Sequence, residues 1–420
     1  MTTVPEVQTR VAGAIGLITL NRPKALNALS LPMVRALLAI LQVWRDDPRV
    51  MAVAICGSNK HGEPGSPQAL FGSFCAGGDI RFFHEAALAN DPQLGEFFTQ
   101  EYTLNHLIQT YPKPYLAFMD GIVMGGGMGL CQGVALADPK GQAGSAPGEP
   151  CARQGVASAD PMGQAGSAPG EPFARQGGKL RIVTEKTKMA MPETGIGLFP
   201  DVGGGYFLSR CPGHLGEYLA LTGQTIDGGQ AIATGLADAL VPSNALAGLW
   251  ESLQYCDTLA TVHDWIATKV IAAHAFPASA KGLLDPEVEA AFGLPTVAAM
   301  VAALEALDTE SARSIVATLR QRSPLMLHVV LEQVRRARSM TLAEDLRMER
   351  DMVEQCFHTR HLGRSGRSSE TVEGIRALAI DKDFQPRWNP ARIEDVTPAM
   401  VDPFFVSPWS RQDHPLRSLA

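Results

Sequence analysis

The chain has 420 residues, 45% of them apolar and 19% charged, with a net charge of −7. That length can bury a large core and is enough for two or three domains, and the acidic balance leaves no basic footprint for a nucleic-acid partner. No apolar run reaches the length of a membrane span, and seven widely spaced cysteines, an odd number, point to reduced thiols without a disulfide framework.

The opening MTTVPEVQTR carries neither an apolar signal core nor an Arg-rich amphipathic stretch, so a cytoplasmic location is expected. Residues 13–20 read as a strand that runs into the loop NRPKALNALS. Ser30 then caps a helix with Pro32 in its first turn, and Val34, Leu37, Leu38 and Leu41 repeat at helical spacing to mark its buried face. A second strand is expected at 51–56, ahead of FCAGGDIRFF at 74–83. A third, at 114–119, leads into DGIVMGGGMGL at 120–130. Both glycine-rich segments place small residues where a backbone N–H must come close to something. Gly125 to Gly127 remove every side chain at the start of a helix, whose free N–H groups and positive end favour a developing negative charge. Each run taken alone also fits a tight turn or close helix–strand packing. Two such donors converging on one oxygen would form an oxyanion hole.

Residues 132–153, QGVALADPKGQAGSAPGEPCAR, recur at 154–175 as QGVASADPMGQAGSAPGEPFAR. The two units of 22 residues differ only at Leu136/Ser158, Lys140/Met162 and Cys151/Phe173. Removing both joins Cys131 to Gln176 in frame, so the segment reads as a tandem duplication. Its Gly, Pro, Ala and Ser content leaves little to bury, and a largely disordered surface loop is expected.

A strand at 179–183 follows, then MPETGIGLFPDVGGGYF at 191–207. Glu193 and Asp201 stand there in apolar, glycine-rich sequence, where a carboxylate is costly unless it is paired, hydrogen-bonded or protonated. The competing reading is that Glu193 caps a turn and Asp201 caps a helix beginning near Gly203. From about 245 the chain is mainly helical. Ser323-Pro324 starts one helix, with Leu327, Val330, Leu331 and Val334 on a stripe. Thr341 and Glu344 form a capping box at the head of another, which carries Leu346, Val353 and Cys356. The glycine runs lack the Lys and Ser/Thr of a phosphate loop, no serine sits in a G-x-S-x-G elbow, and the scattered histidines lack metal-ligand spacing, so no metal is expected.

In this order, RPKALNAL, CAGGDI, GGGMGL and MPETGIGLFPDVGGG resemble the crotonase (enoyl-CoA hydratase/isomerase) superfamily. RSPLMLHVVLEQVRRA, TLAEDLRMERDMVEQC and EGIRALAIDKDFQPRWNPA extend the resemblance to its 3-hydroxyisobutyryl-CoA hydrolase branch, over nearly the whole chain except about 134–177. The resemblance implies an α/β fold: a spiral core of repeated ββα units over 1–244 and a mainly helical region over 245–420. It implies oxyanion donors at the backbone N–H groups of Ala76 and Gly126, catalytic carboxylates at Glu193 and Asp201, and a pocket shared by Glu101 with Gly126, Glu193 and Asp201. It also implies coenzyme A contacts at Lys24, Asp79 and Ile80. Hydratases of the superfamily carry a catalytic glutamate where this chain has Gly129, which argues against hydration. The implied reaction is hydrolysis of a short-chain 3-hydroxyacyl-CoA thioester, 3-hydroxyisobutyryl-CoA in valine breakdown foremost. Coenzyme A is then part of the substrate and no separate cofactor is expected. An enoyl-CoA hydratase or isomerase and an acyl-CoA-binding protein without turnover stay open as alternatives. In this family the helical tail covers the acyl pocket and shapes oligomer contacts, and a homo-oligomer stays open here.

Overall fold

The structure, a computed structural model, describes residues 5–61, 69–132, 178–274 and 283–420. The duplicated segment beyond Gln132 lies outside them, and so does the expectation of a disordered loop.

Among the described residues, eight strands form two sheets. The larger runs in the order β1 (Val7–Ala12), β2 (Ile15–Leu20), β3 (Ala52–Gly57), β4 (Tyr115–Met119), β6 (Lys179–Val183) and β8 (Ala239–Leu240), and the smaller pairs β5 (Ile122–Met124) with β7 (Lys188–Ala190). β1 and β2 form an antiparallel hairpin, and every other pairing is parallel. A parallel sheet needs both faces covered, and the strands alternate accordingly. Val53 and Ile55 of β3 point into the main core, whereas Ala52, Ala54 and Cys56 join Phe118, Trp250 and Trp265 on the opposite face.

Helices α1 (Leu31–Asp46), α2 (Ile80–Ala89), α3 (Gln93–Gln109), α4 (Gly126–Gly129), α5 (Gly204–Leu208), α6 (Leu215–Thr222) and α7 (Gly228–Ala233) complete the first half. Past β8 follow α8 (Leu246–Ser252), α9 (Leu259–Trp265), α10 (Pro286–Ala291), α11 (Val297–Leu307), α12 (Glu310–Gln321), α13 (Pro324–Ala337), α14 (Leu342–Phe357), α15 (Glu370–Ile375) and α16 (Pro398–Val401). Ser30 accepts a hydrogen bond from the Met33 N–H at 3.3 Å, and Trp44 extends the buried face of α1 while Leu38 lies at its edge. α13 is buried nearly all round rather than along one stripe, because α5 and α6 pack on one side of it and α11 on another. α14 starts with the expected reciprocal Thr341–Glu344 capping box. The main core is continuous from Ile18 to Leu416, so the C-terminal helices are built onto the same apolar mass as the sheet.

Candidate active site

Two glycine-rich turns meet at β5, one following the Cys75–Val123 bridge and the other following the strand itself. After Phe74 the chain runs beside Leu29 as an isolated parallel bridge, in which Leu29 N–H donates to Gly77 O (2.8 Å) and Asp79 N–H donates to Leu29 O (3.0 Å). This pairing uses the groups on either side of Gly78 and leaves its own N–H facing the other way. There it lies 3.4 Å from the place a Cβ would occupy on Gly126. Gly77 (φ +97°) and Gly125 (φ +48°) adopt backbone conformations that L side chains rarely reach, and they let the two turns touch. Among the described residues, neither the Gly78 nor the Gly126 N–H has an acceptor.

One sequence expectation needs correcting here. The Ala76 N–H is not free, because it donates to the Leu26 carbonyl at 3.0 Å. Counting along the motif points to Ala76; the bridge to Leu29 decides which amide faces the cavity, and it selects Gly78.

Three acids close around these amides. Glu193 begins the short turn Glu193–Ile196 that follows β7, and the parallel pairing of β5 with β7 brings it beside the glycine triplet. Its Oε1 lies 2.7 Å from the Cβ position of Gly125. Glu101, on the inner face of α3, puts Oε1 2.5 Å from the Cβ position of Gly126. Asp201 accepts a hydrogen bond from the Tyr102 hydroxyl at 2.9 Å. All three are buried, and Glu193 Oε2 and Glu101 Oε1 lack a protein partner among the described residues. Burial, reinforced by the Asp201 charge, raises the Glu193 carboxyl well above the ordinary range. Glu101 is raised in the same way, first by burial and then by Asp201 and Glu193. Asp201 is pushed up by burial to about 7, against the opposing hydrogen bond from Tyr102.

Asp201 is not the side-chain cap of α5. Glu349 of α14 takes that place, accepting from the Gly203 N–H (2.8 Å) and the Gly205 N–H (3.1 Å), while Asp345 accepts from the Tyr206 N–H (2.9 Å). Gln333 of α13 donates to the Pro200 carbonyl at 2.7 Å and braces the turn from the other side. The Asp201 carboxyl is thereby left to the cavity, and the C-terminal helices hold its turn in place.

The cavity measures about 330 Å³. Gly78, Gly126, Glu101, Glu193, Asp201 and Ile80 are all on its wall. Lys24 and Asp79 are not. Lys24 is exposed on the turn Pro23–Ala25, and the Asp79 carboxylate is committed to Arg22 (2.7 Å) and to the Phe82 N–H at the start of α2. The Asp79 carboxylate therefore serves here as helix cap and ion-pair partner, off the cavity wall. At Gly129 the space is closed, since a Cβ would meet Val202 Cβ at 2.6 Å and Asn105 Nδ2 at 2.7 Å. No side chain can be accommodated there without a shift. Cys75, beside the turn, is fully buried and its thiol is pushed up to about 12, which suits packing and not nucleophilic attack.

Sequence reasoning missed Gly78 as the inward-facing amide, Tyr102 as the partner of Asp201, and Arg322 on the cavity wall. Tyr102 directly follows Glu101 and had a visible signal. The other two depend on contacts distant in sequence.

The fold and the cavity define a protein of the enoyl-CoA hydratase/isomerase class, and the sequence matches that family over residues 15–137 and 174–405. The break in the match falls inside the duplicated segment. The chain belongs to this family, and within it to the 3-hydroxyisobutyryl-CoA hydrolase branch. It is 36% identical to the mitochondrial 3-hydroxyisobutyryl-CoA hydrolase of Xenopus tropicalis, over 94% of this chain and 87% of the relative. It is 33% identical to the probable 3-hydroxyisobutyryl-CoA hydrolase 3 of Arabidopsis thaliana, over 96% and 92%. Among solved structures, a carnitinyl-CoA dehydratase from Mycobacterium thermoresistibile superposes with a TM-score of 0.73 at 34% identity, covering 96% of both chains. The cytoplasmic location expected from the first ten residues does not stand against these relatives, because the Xenopus protein and its chicken and cattle counterparts are mitochondrial by name. A folded catalytic body looks alike in either compartment, so its composition does not report where it works.

Proposed function

We propose that this protein hydrolyses a short-chain 3-hydroxyacyl-CoA thioester, 3-hydroxyisobutyryl-CoA to 3-hydroxyisobutyrate and coenzyme A, as a step of valine breakdown. The observation that carries the reading is the meeting of Glu193, Asp201 and two unpaired glycine amides in one buried cavity, with the hydratase's glutamate position closed at Gly129. The thioester oxygen sits between the N–H groups of Gly78 and Gly126. Negative charge gathers on it as the carbonyl carbon is attacked, and the fixed dipoles stabilise that charge; one such donor is typically worth about 3 kcal/mol.

Glu193 starts the attack, either on the carbonyl carbon, giving an anhydride, or on a water it deprotonates. Its raised carboxyl makes it a stronger base once ionised. The carbon–sulfur bond breaks, coenzyme A leaves as the thiol after taking a proton, and water supplies the hydroxyl of the product acid. Asp201 and Glu101 receive the substrate hydroxyl or the incoming water. Their polar atoms would be left unpaired by a plain acyl group, which is the basis for rejecting one. These steps use side chains, backbone amides and water, with coenzyme A entering as part of the substrate.

A panel of C3–C5 acyl-CoAs, with and without a 3-hydroxyl, followed with a free-thiol reagent, tests the proposal. The hydroxylated C4 ester is expected to exceed its plain counterpart in kcat/KM by about 100-fold or more, and crotonyl-CoA to keep its double-bond absorbance. Equal rates for hydroxylated and plain esters, or hydration of crotonyl-CoA as the faster reaction, would overturn it.

A further inference from the structure

The cavity wall also holds Arg322, which the reaction above does not use. It directly follows α12, and its backbone is held where Ser323 N–H donates to Thr194 O at 3.1 Å, next to Glu193. Its Nε and Nη2 both donate to the Thr222 carbonyl at the end of α6, at 2.9 and 2.6 Å. This fork fixes the plane of the guanidinium and leaves Nη1 over. Nη1 lies 3.0 Å from the Cβ position of Gly195, so the absence of a side chain there leaves room for the cation at the wall. Among the described residues no carboxylate pairs with this guanidinium, and burial alone lowers its pKa. A largely buried guanidinium with a donor unspent and no acid beside it is suited to bind an oxygen supplied by a ligand.

Its place on the wall says which part of the ligand. Glu101, Glu193 and Asp201 lie fully inside, whereas Arg322 and Leu378, the latter 43% exposed, are on the solvent side of the cavity. A cavity of about 330 Å³ takes a short acyl group and its thioester, so the long remainder of coenzyme A has to leave through an open edge, and Arg322 and Leu378 stand at one such edge. Resting on the proposed thioester reading, we propose that Arg322 binds an acceptor oxygen of the coenzyme A arm beyond its cysteamine unit, the outer pantetheine amide carbonyl or a phosphate, and thereby favours full coenzyme A esters over truncated ones.

The test compares wild type with Arg322→Gln and Arg322→Lys, using the 3-hydroxyisobutyryl esters of coenzyme A, pantetheine and N-acetylcysteamine, together with calorimetric binding of free coenzyme A. Losing one charged hydrogen bond should weaken binding of free coenzyme A about tenfold or more. The preference for the coenzyme A ester over the N-acetylcysteamine ester should fall by a similar factor, through KM and not kcat. An equal fall for the pantetheine ester puts the oxygen on the outer pantetheine amide, which N-acetylcysteamine lacks, and a fall confined to the coenzyme A ester puts it on a phosphate. A purely structural Arg322, needed only to hold Thr222 and the Glu193 turn, would lower turnover of all three esters alike and overturn the proposal. Unchanged coenzyme A affinity in Arg322→Gln would overturn it too. The binding arm reads out whether or not the esters are hydrolysed, so it separates failure of this inference from failure of the hydrolase reading.

Discussion

At the scale of single residues, the site is defined by how a few groups are denied partners. Gly78 and Gly126 keep their N–H groups free only because Gly77, Gly125 and the Leu29 bridge commit the groups around them. Glu193 and Asp201 are kept from ionising readily by burial, and Asp201 adds to the rise at Glu193. The sign of the pH dependence follows. In the proposed reaction Glu193 acts as its carboxylate, and that form accumulates only above the ordinary carboxylate range, so kcat/KM should climb as pH rises above that range. Asp201→Asn removes one cause of the rise and leaves burial in place. The acid limb of the residual kcat/KM profile should therefore move down in pH while staying above that of a free carboxyl. A limb that stays put or moves up would show that the Asp201 charge does not act on Glu193. Glu193, Asp201 and the glycine run around Gly126 were legible in the chain because acids and glycine runs are conspicuous in apolar sequence, whereas Glu101 was reached only through the family resemblance. Gly78 was not legible, since the choice between it and Ala76 is made by Leu29 across a bridge that no local spacing reveals.

At the scale of elements, the same distinction separates the helix starts. Ser30, Ser323 and Thr341 cap their helices with partners three residues on, and each was readable from the sequence. The start of α5 was not, because its acceptor, Glu349, lies 146 residues from Gly203 in sequence. Glu349 does two jobs there: it satisfies the N–H groups of Gly203 and Gly205, and with Gln333 it fixes the turn that aims Asp201. Glu349→Ala should cost about 1–3 kcal/mol of stability by leaving buried donors unpaired, and should lower kcat because the Asp201 turn loosens. Glu349→Gln keeps an acceptor oxygen and should retain more of both. A urea midpoint and a kcat for each variant check this, and an alanine variant indistinguishable from wild type in both would remove Glu349 from the account.

At the scale of the whole molecule, the helical C-terminal region helps build the candidate site. α14 supplies the cap of α5, α13 braces Pro200, and Arg322 stands on the cavity wall. This region was expected to cover the acyl pocket; that it also braces the turn carrying Asp201 is visible only in three dimensions. The duplicated segment departs at Gln132, which is buried and ties α4 to the sheet by donating to Leu236 O (2.9 Å) and accepting from Arg181 (2.7 Å). Both repeats begin with the same Gln-Gly pair, so a chain without the duplication would present Gln176 in the place of Gln132 and keep these bonds within reach. The duplication thus enters where the surrounding sequence repeats itself, at the end of α4 away from Gly126.

The whole account rests on Glu193 facing a carbonyl held by the Gly78 and Gly126 amides. Its most direct test is thiol release from 3-hydroxyisobutyryl-CoA by Glu193→Gln, measured beside the affinity of the same variant for that ester. The account requires release to fall by about 1,000-fold or more with affinity nearly unchanged. Release at the wild-type rate would contradict it.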